Sequence, residues 1–236
     1  MPQPKGLFGQ LLQGLMTLPF PQHCYHCQSS LPMRAEVLCR KCEASLPKTG
    51  FENQSDNIVF QSFWGRVPIH FAASVFHFRQ GETLQKLVHL LKYRNHPEVG
   101  VYLGRIAGRF IAKSNLLSNI DLIIPVPLHY RRHRKRGYNQ CDMIAQGLGE
   151  TLNVKTVSDL LFRRSYNVSQ TTKKHYERWQ NVEGIFHVMD GKRIQNKRIL
   201  LIDDIITTGA TLEACCLALN EIPGVEINIV TVGYTN

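Results

Sequence analysis

Apolar residues along the chain recur in two periods. Short apolar runs bounded by turn residues mark buried strands at Ile199 to Ile202, Asp121 to Val126 and Ile227 to Val232. Val67 to Phe78 alternates more loosely, through Ile69, Phe71, Ala73 and Val75, and predicts an edge strand or hairpin. Between these runs the spacing is helical. Leu84, Leu87, Val88 and Leu91 predict a helix ending near Lys92 and Tyr93, and Leu103, Ile106, Ala107, Phe110 and Ile111 predict a second. Ile144, Ala145, Leu148 and Leu152 predict a third, capped by Asn139. Leu212, Cys215, Cys216 and Leu219 predict a fourth that starts within Thr207 to Thr211. Strands alternating with helices imply the α/β class, a mostly parallel sheet with helices on both faces.

The strand at Ile199 to Ile202 carries the most informative chemistry. Asp203 and Asp204 follow at its carboxyl end, where open α/β sheets bind ligands. Thr207, Thr208, Gly209, Ala210 and Thr211 then form a hydroxyl-rich turn into a helix. Free backbone N–H groups and the helix dipole converge there on an anion, most naturally phosphate. Carboxylates repel phosphate, so the acid pair needs another target on the same ligand: sugar hydroxyls or a bound Mg²⁺. The combination suits a ribose carrying a 5′-phosphate. An ATPase strand ending in two acids looks similar but needs a Gly-x4-Gly-Lys-Ser/Thr loop upstream, and the chain has none. The run resembles the PRPP motif of type I phosphoribosyltransferases. That resemblance implies that Asp203 and Asp204 hold the ribose 2′- and 3′-hydroxyls in a catalytic role, while the loop holds the 5′-phosphate.

A second charged stretch follows the strand at Asp121 to Val126. Five of the six positions from Arg131 to Arg136 are Lys or Arg: Arg131, Arg132, Arg134, Lys135 and Arg136. The stretch reads as a basic loop on the same sheet edge as the phosphate loop. It suits pyrophosphate or a nucleic-acid backbone, with Tyr130 and Tyr138 available for stacking. A third stretch, from residue 155 to 186, is long, polar and basic with little periodicity. It reads as a lid that excludes water from a reactive sugar, with Arg163, Gln170, Arg178 and Asn181 able to close over a ligand.

Toward the N-terminus, Cys24, Cys27, Cys39 and Cys42 form two Cys-x2-Cys knuckles separated by eleven residues. That spacing fits a tetrahedral Zn site, structural because four thiolates leave no position for a catalytic water. A redox Cys-x2-Cys pair is the alternative, and His23 and His26 are spare ligands. Cys141, Cys215 and Cys216 lie inside apolar helical patterns, as free thiols do in a reducing compartment. These features divide the chain into an N-terminal segment at 1–20, a zinc-binding ribbon at 21–50, a polar linker from Lys48 to Asn57 and a larger domain at 60–236. Leu7, Phe8, Leu11, Leu12 and Leu15 form a one-sided helical stripe in the first segment. It fits packing on the body or on a partner subunit, or lying on a membrane surface. No signal peptide or spanning stretch is evident. A net charge of +10 over 236 residues favours polyanionic partners: nucleic acid, phosphorylated ligands or an acidic membrane.

Taken together, the chain resembles the ComF (ComFC-type) competence protein family. The residues that carry the resemblance are the four-Cys knuckles, Lys92-Tyr93, and Pro125-Val-Pro127 with Arg136-Gly137-Tyr138-Asn139-Gln140. To these are added the spaced set Arg163, Gln170, Arg178, Asn181 and Phe186, and the Asp203 to Thr211 loop. The resemblance implies a zinc finger on a type I phosphoribosyltransferase domain. It implies PRPP with Mg²⁺ as ligand, with pyrophosphate or nucleic acid met by Lys92, Tyr93, the basic stretch, Tyr138, Asn139 and Gln140. It also implies handling of incoming single-stranded DNA in natural transformation, in the cytoplasm, with DNA-processing proteins as candidate partners, while a membrane-proximal place rests on the apolar stripe of the first segment. The alternative is an active Mg²⁺-dependent phosphoribosyltransferase acting on an unidentified nucleobase or nucleotide.

Overall fold

The computed structural model describes residues 23–31, 37–163 and 184–235. The apolar stripe of the first segment lies outside these residues, as do Gln170, Arg178 and Asn181. The chain divides into two compact units, Met1–Ala44 and Ser45–Asn236.

In the smaller unit the described residues form tight turns, with Cys24, Val37, Leu38 and Cys42 buried. The Cys24 amide donates to the Ser29 carbonyl at 2.8 Å, and the Tyr25 amide donates to Val37 at 2.9 Å. The second knuckle runs into a single helical turn, α1 (Arg40–Ala44). A metal held by the two knuckles would add stability to so short a segment.

The larger unit opens with residues expected as a linker, and they are packed. Lys48 bridges to Phe76, and the Thr49 hydroxyl donates to the Ser74 carbonyl at 2.6 Å. Asn57 caps the short helix α2 (Ile58–Gln61), accepting from the Val59 and Phe60 amides, and donates to the Ala72 carbonyl at 2.9 Å. Polar composition here marks side chains that satisfy backbone groups, which composition alone cannot separate from a solvated linker.

Then follow β1 (Phe71–His77), α3 (Thr83–Tyr93), α4 (Pro97–Ile111) and β2 (Leu122–Pro125). After them come α5 (Tyr130–Arg136), α6 (Gln140–Leu152) and β3 (Lys155–Thr156). The short strands β4 (Leu161–Arg163) and β5 (Phe186–Val188) pair antiparallel in a separate ribbon. The chain closes with β6 (Arg198–Ile206), α7 (Ala210–Asn220) and β7 (Glu226–Tyr234). The main sheet has the order β1-β7-β6-β2-β3 with every neighbouring pair parallel. This is the α/β architecture that the two periods predict, and β1 lies at its edge as expected.

β6 is central, and both of its faces are covered. Ile199 and Leu201 join a core with Leu212, Cys215, Cys216 and Leu219 of α7, while Leu200 and Ile202 are buried on the opposite face. Helices α4 and α6 touch backbone to backbone, because a Cβ at Gly104 or Gly147 would collide with the main chain of Ile144 or Val101. The register pairs Ile202 with Pro125, so Asp203 begins where β2 ends. The basic stretch therefore starts beside the acid pair. It is a helix, α5, and not the loop that its charge suggested. The His129 imidazole accepts from the Arg131 amide at 3.2 Å at its start, and left-handed Gly137 (φ 87°) closes it.

Candidate ribose-phosphate site and adjoining cationic cavity

Each acid of β6 is oriented by its own backbone. Asp203 Oδ1 accepts from the Asp204 amide at 2.8 Å, and Asp204 Oδ1 accepts from the Ile205 amide at 2.7 Å. Two residues distant in sequence complete the pair. The Cys141 thiol, in the first turn of α6, donates to Asp203 Oδ1 at 3.2 Å. Burial and the two nearby carboxylates push that thiol well above its usual range, so it stays protonated and able to donate. The Lys92 ammonium, in the last turn of α3, lies 2.8 Å from Asp204 Oδ2. It sits off the axis that a directed hydrogen bond needs, so the contact is an ion pair. Burial, and then the Asp204 charge, push the Asp203 carboxyl up to about 7.

The Thr207 to Thr211 loop follows directly. Asp203 and the residues from Ile205 to Leu212 line a concavity of about 50 Å³. Gly209 holds φ 76°, a left-handed geometry that turns the loop into α7. A Cβ there would lie 3.4 Å from the Phe63 ring. Arg66 braces the loop from outside, donating to the Thr208 carbonyl at 3.1 Å and the Ser62 carbonyl at 2.9 Å. Its guanidinium also pairs with Glu213, an acid in the first turn of α7. Within the loop the Ala210 amide donates to the Thr208 hydroxyl at 3.4 Å.

Beside the acids lies a larger cavity of about 390 Å³, lined by Lys92, Tyr93, Asn95, Arg132, Lys135 and Arg136. Lys92 belongs to both sites. Arg136 bonds Gln140, and its guanidinium lies 5.9 Å from the centre of the Tyr93 ring. The Tyr138 hydroxyl donates to the Leu91 carbonyl and ties the α5–α6 turn to the end of α3.

In the smaller unit the four cysteine sulfurs lie within 4.8 Å of one another, and Cys27 and Cys39 are 3.7 Å apart. Tetrahedral Zn–S bonds of about 2.3 Å separate sulfurs by about 3.8 Å, so the set fits zinc. The Ser29 hydroxyl lowers the Cys27 thiol to about 6, which favours the thiolate that a metal needs. For Mg²⁺ the fit is different. Lys92 already holds Asp204 Oδ2, so the acid pair is no ready cage, but it suits an ion that arrives on a pyrophosphate and keeps its waters.

No family model matches the chain. Over 226 residues it is 27% identical to Competence protein F of Haemophilus influenzae, covering 89% of this chain and 96% of that protein. Over 100 residues it is 33% identical to Competence protein ComFC of Bacillus subtilis, covering 42% and 38% respectively. The chain is thus similar to the ComF competence proteins, to one of them along most of its length. It is also 29% identical to the DNA utilization protein YhgH of Escherichia coli over 132 residues, 55% of this chain and 57% of that protein. Among solved structures, the glutamine PRPP amidotransferase of B. subtilis matches with a TM-score of 0.42 at 18% identity, over 60% of this chain and 30% of that one.

The remaining residues singled out by the ComF resemblance divide between the cleft and the scaffold. Asp203, Asp204 and Thr207 to Thr211 lie in one concavity, and Lys92, Tyr93, Arg132, Lys135 and Arg136 line the other. Arg131 and Arg134 are exposed outside that lining, and Arg131 bonds the Tyr130 hydroxyl. Tyr138, Asn139 and Gln140 spend their polar groups inside the fold, with Asn139 capping α6 and donating to Val126. Arg163 ends β4 with its guanidinium 5.6 Å from the centre of the Phe186 ring. Sequence reading missed Cys141 as a partner of Asp203, and Arg66 and Phe63 as braces of the loop. Nothing local marks Arg66. Cys141 carried a signal only in its place one turn into a helix that follows a basic stretch.

Proposed function

We propose that this chain is a competence-associated protein that binds a ribose 5-phosphate group, with PRPP as its natural form, and handles single-stranded DNA. The observation that carries this reading is Lys92, which joins the acid pair to the cationic cavity. A sugar on the acids and a polyanion in the cavity would share one cleft. Asp203 and Asp204 accept from the ribose hydroxyls. Thr207 to Thr211 hold the 5′-phosphate. The cations of α3 and α5 meet pyrophosphate or a DNA backbone, Mg²⁺ travels with the pyrophosphate, and zinc holds the knuckles. Natural transformation delivers a single strand to the cytoplasm, which puts the protein there, near the membrane and in reach of DNA-processing partners. Among the described residues no helix is long and apolar enough to cross a membrane.

The intact acid pair favours a second reading, phosphoribosyl transfer from PRPP to a nucleobase or nucleotide. Titration of a single-stranded oligonucleotide at two salt concentrations, with and without PRPP and Mg²⁺, separates the two. The DNA reading expects binding that weakens with salt and shifts when PRPP is added. Absence of DNA binding at physiological salt would sink it in favour of the transferase.

A further inference from the structure

The cationic cavity offers more than charge. Tyr93 stands in its lining with its side chain 68% exposed, held at the end of α3 by His89 on one flank and Arg136 on another. Asn95 brings a carboxamide to the same lining. The Arg132 and Lys135 side chains have no ion-pair or hydrogen-bond partner among the described residues, so both charges remain available to a ligand. A pyrophosphate alone would use only the cations. It has no use for an open aromatic face, and it fills a small part of a volume that lies within the range of about 300–1,000 Å³ of small-molecule pockets.

We propose that this cavity is a nucleotide subsite for single-stranded DNA, in which one base stacks on Tyr93 and the adjoining phosphate meets Arg132 and Lys135. This rests on the DNA reading above and adds to it a base contact. Every base has a π-face, so a Tyr93 platform binds without strong sequence preference, and the Arg136 guanidinium beside the ring adds a second planar surface. Asn95 can donate to and accept from a base edge, which gives a mild preference at most. Lys92, shared with Asp204, sets the stacked nucleotide next to the ribose-phosphate site.

The test measures the anisotropy of two labelled single strands of equal length, one of thymidine nucleotides and one with abasic sites throughout. The full chain is compared with Tyr93→Leu, Tyr93→Phe and the double variant Arg132→Gln with Lys135→Gln. Tyr93→Leu is expected to weaken binding of the thymidine strand about tenfold and to leave the abasic strand unchanged. Tyr93→Phe should retain the affinity of the native chain. The double variant should weaken both strands and flatten the salt dependence. Equal effects of Tyr93→Leu on the two strands, or no effect on either, would overturn the stacking role and leave the DNA reading standing. Failure of the native chain to bind either strand would overturn both. Tyr93 is exposed, so an unchanged melting temperature checks that its variants fold.

Discussion

Asp203, Asp204 and the Thr207 to Thr211 loop come from one unbroken stretch of chain, whereas the cavity beside them is assembled from the ends of two helices. The first is shaped by a buried strand, a left-handed Gly209 and bonds from each acid to the next amide. The second exists because the Tyr138 hydroxyl reaches across 47 residues to Leu91 and because α5 follows β2 after a short connection. A site whose shape comes mainly from one stretch depends less on changes elsewhere, here on Cys141, Lys92 and Arg66, which touch it. An assembled site depends on struts that touch no ligand. The two regions should therefore fail in different ways.

The largest effect is expected at the acids. Replacing Asp203 and Asp204 together by alanine removes the charged acceptors for the sugar. With about 1.5–3 kcal/mol for each hydrogen bond to a charged group, affinity for ribose 5-phosphate should fall about a hundredfold or more. Binding of an oligonucleotide through the cavity cations should change much less. Calorimetry with both ligands checks this, and parallel losses would erase the distinction between the regions.

A smaller effect is expected at the strut. Tyr138→Phe keeps the ring and deletes one hydrogen bond, worth about 1 kcal/mol. Loosening the end of α3 against α5 should lower oligonucleotide affinity several-fold while ribose 5-phosphate binds as before. A loss confined to ribose 5-phosphate would show that the strut serves the acids and not the cavity.

The smallest effect is a pH slope. Asp203 titrates at about 7 in the folded chain, above the value near 3.9 of an unfolded aspartate. The folded state therefore binds the proton more tightly, and the contribution of this residue to stability declines as pH rises from about 4 to about 7. Asp203→Asn removes that slope. Urea midpoints at pH 5 and pH 8 should converge in the variant relative to the native chain. Identical differences in both proteins would mean that burial does not hold the proton on Asp203.

Much of this architecture was readable in one dimension. Strand and helix periods located β6, α3, α4, α6 and α7, because apolar spacing reflects the geometry of each element and needs no partner to be known. The acid pair and threonine loop were readable for the same reason, since turn chemistry is local. Where local signals were ambiguous, the reading slipped. The α5 stretch looked like a loop because five cations in a short run obscure a helix whose ends are set by His129 and Gly137. The polar residues after Lys48 looked like a linker because side chains that cap and bond backbone resemble solvated ones in composition.

Sequence by itself determined the α/β class, the four-cysteine knuckles and the acid pair with its threonine-rich turn, each a pattern complete within a few turns of chain. Tertiary structure alone decided that Cys141 meets Asp203, that Arg66 braces Thr208 from 142 residues away, and that Lys92 pairs with Asp204 while lining the Tyr93 cavity. The physical reason is that strand order in a parallel sheet brings distant segments to one edge. Contacts made there depend on which strands are neighbours, and no local period encodes that.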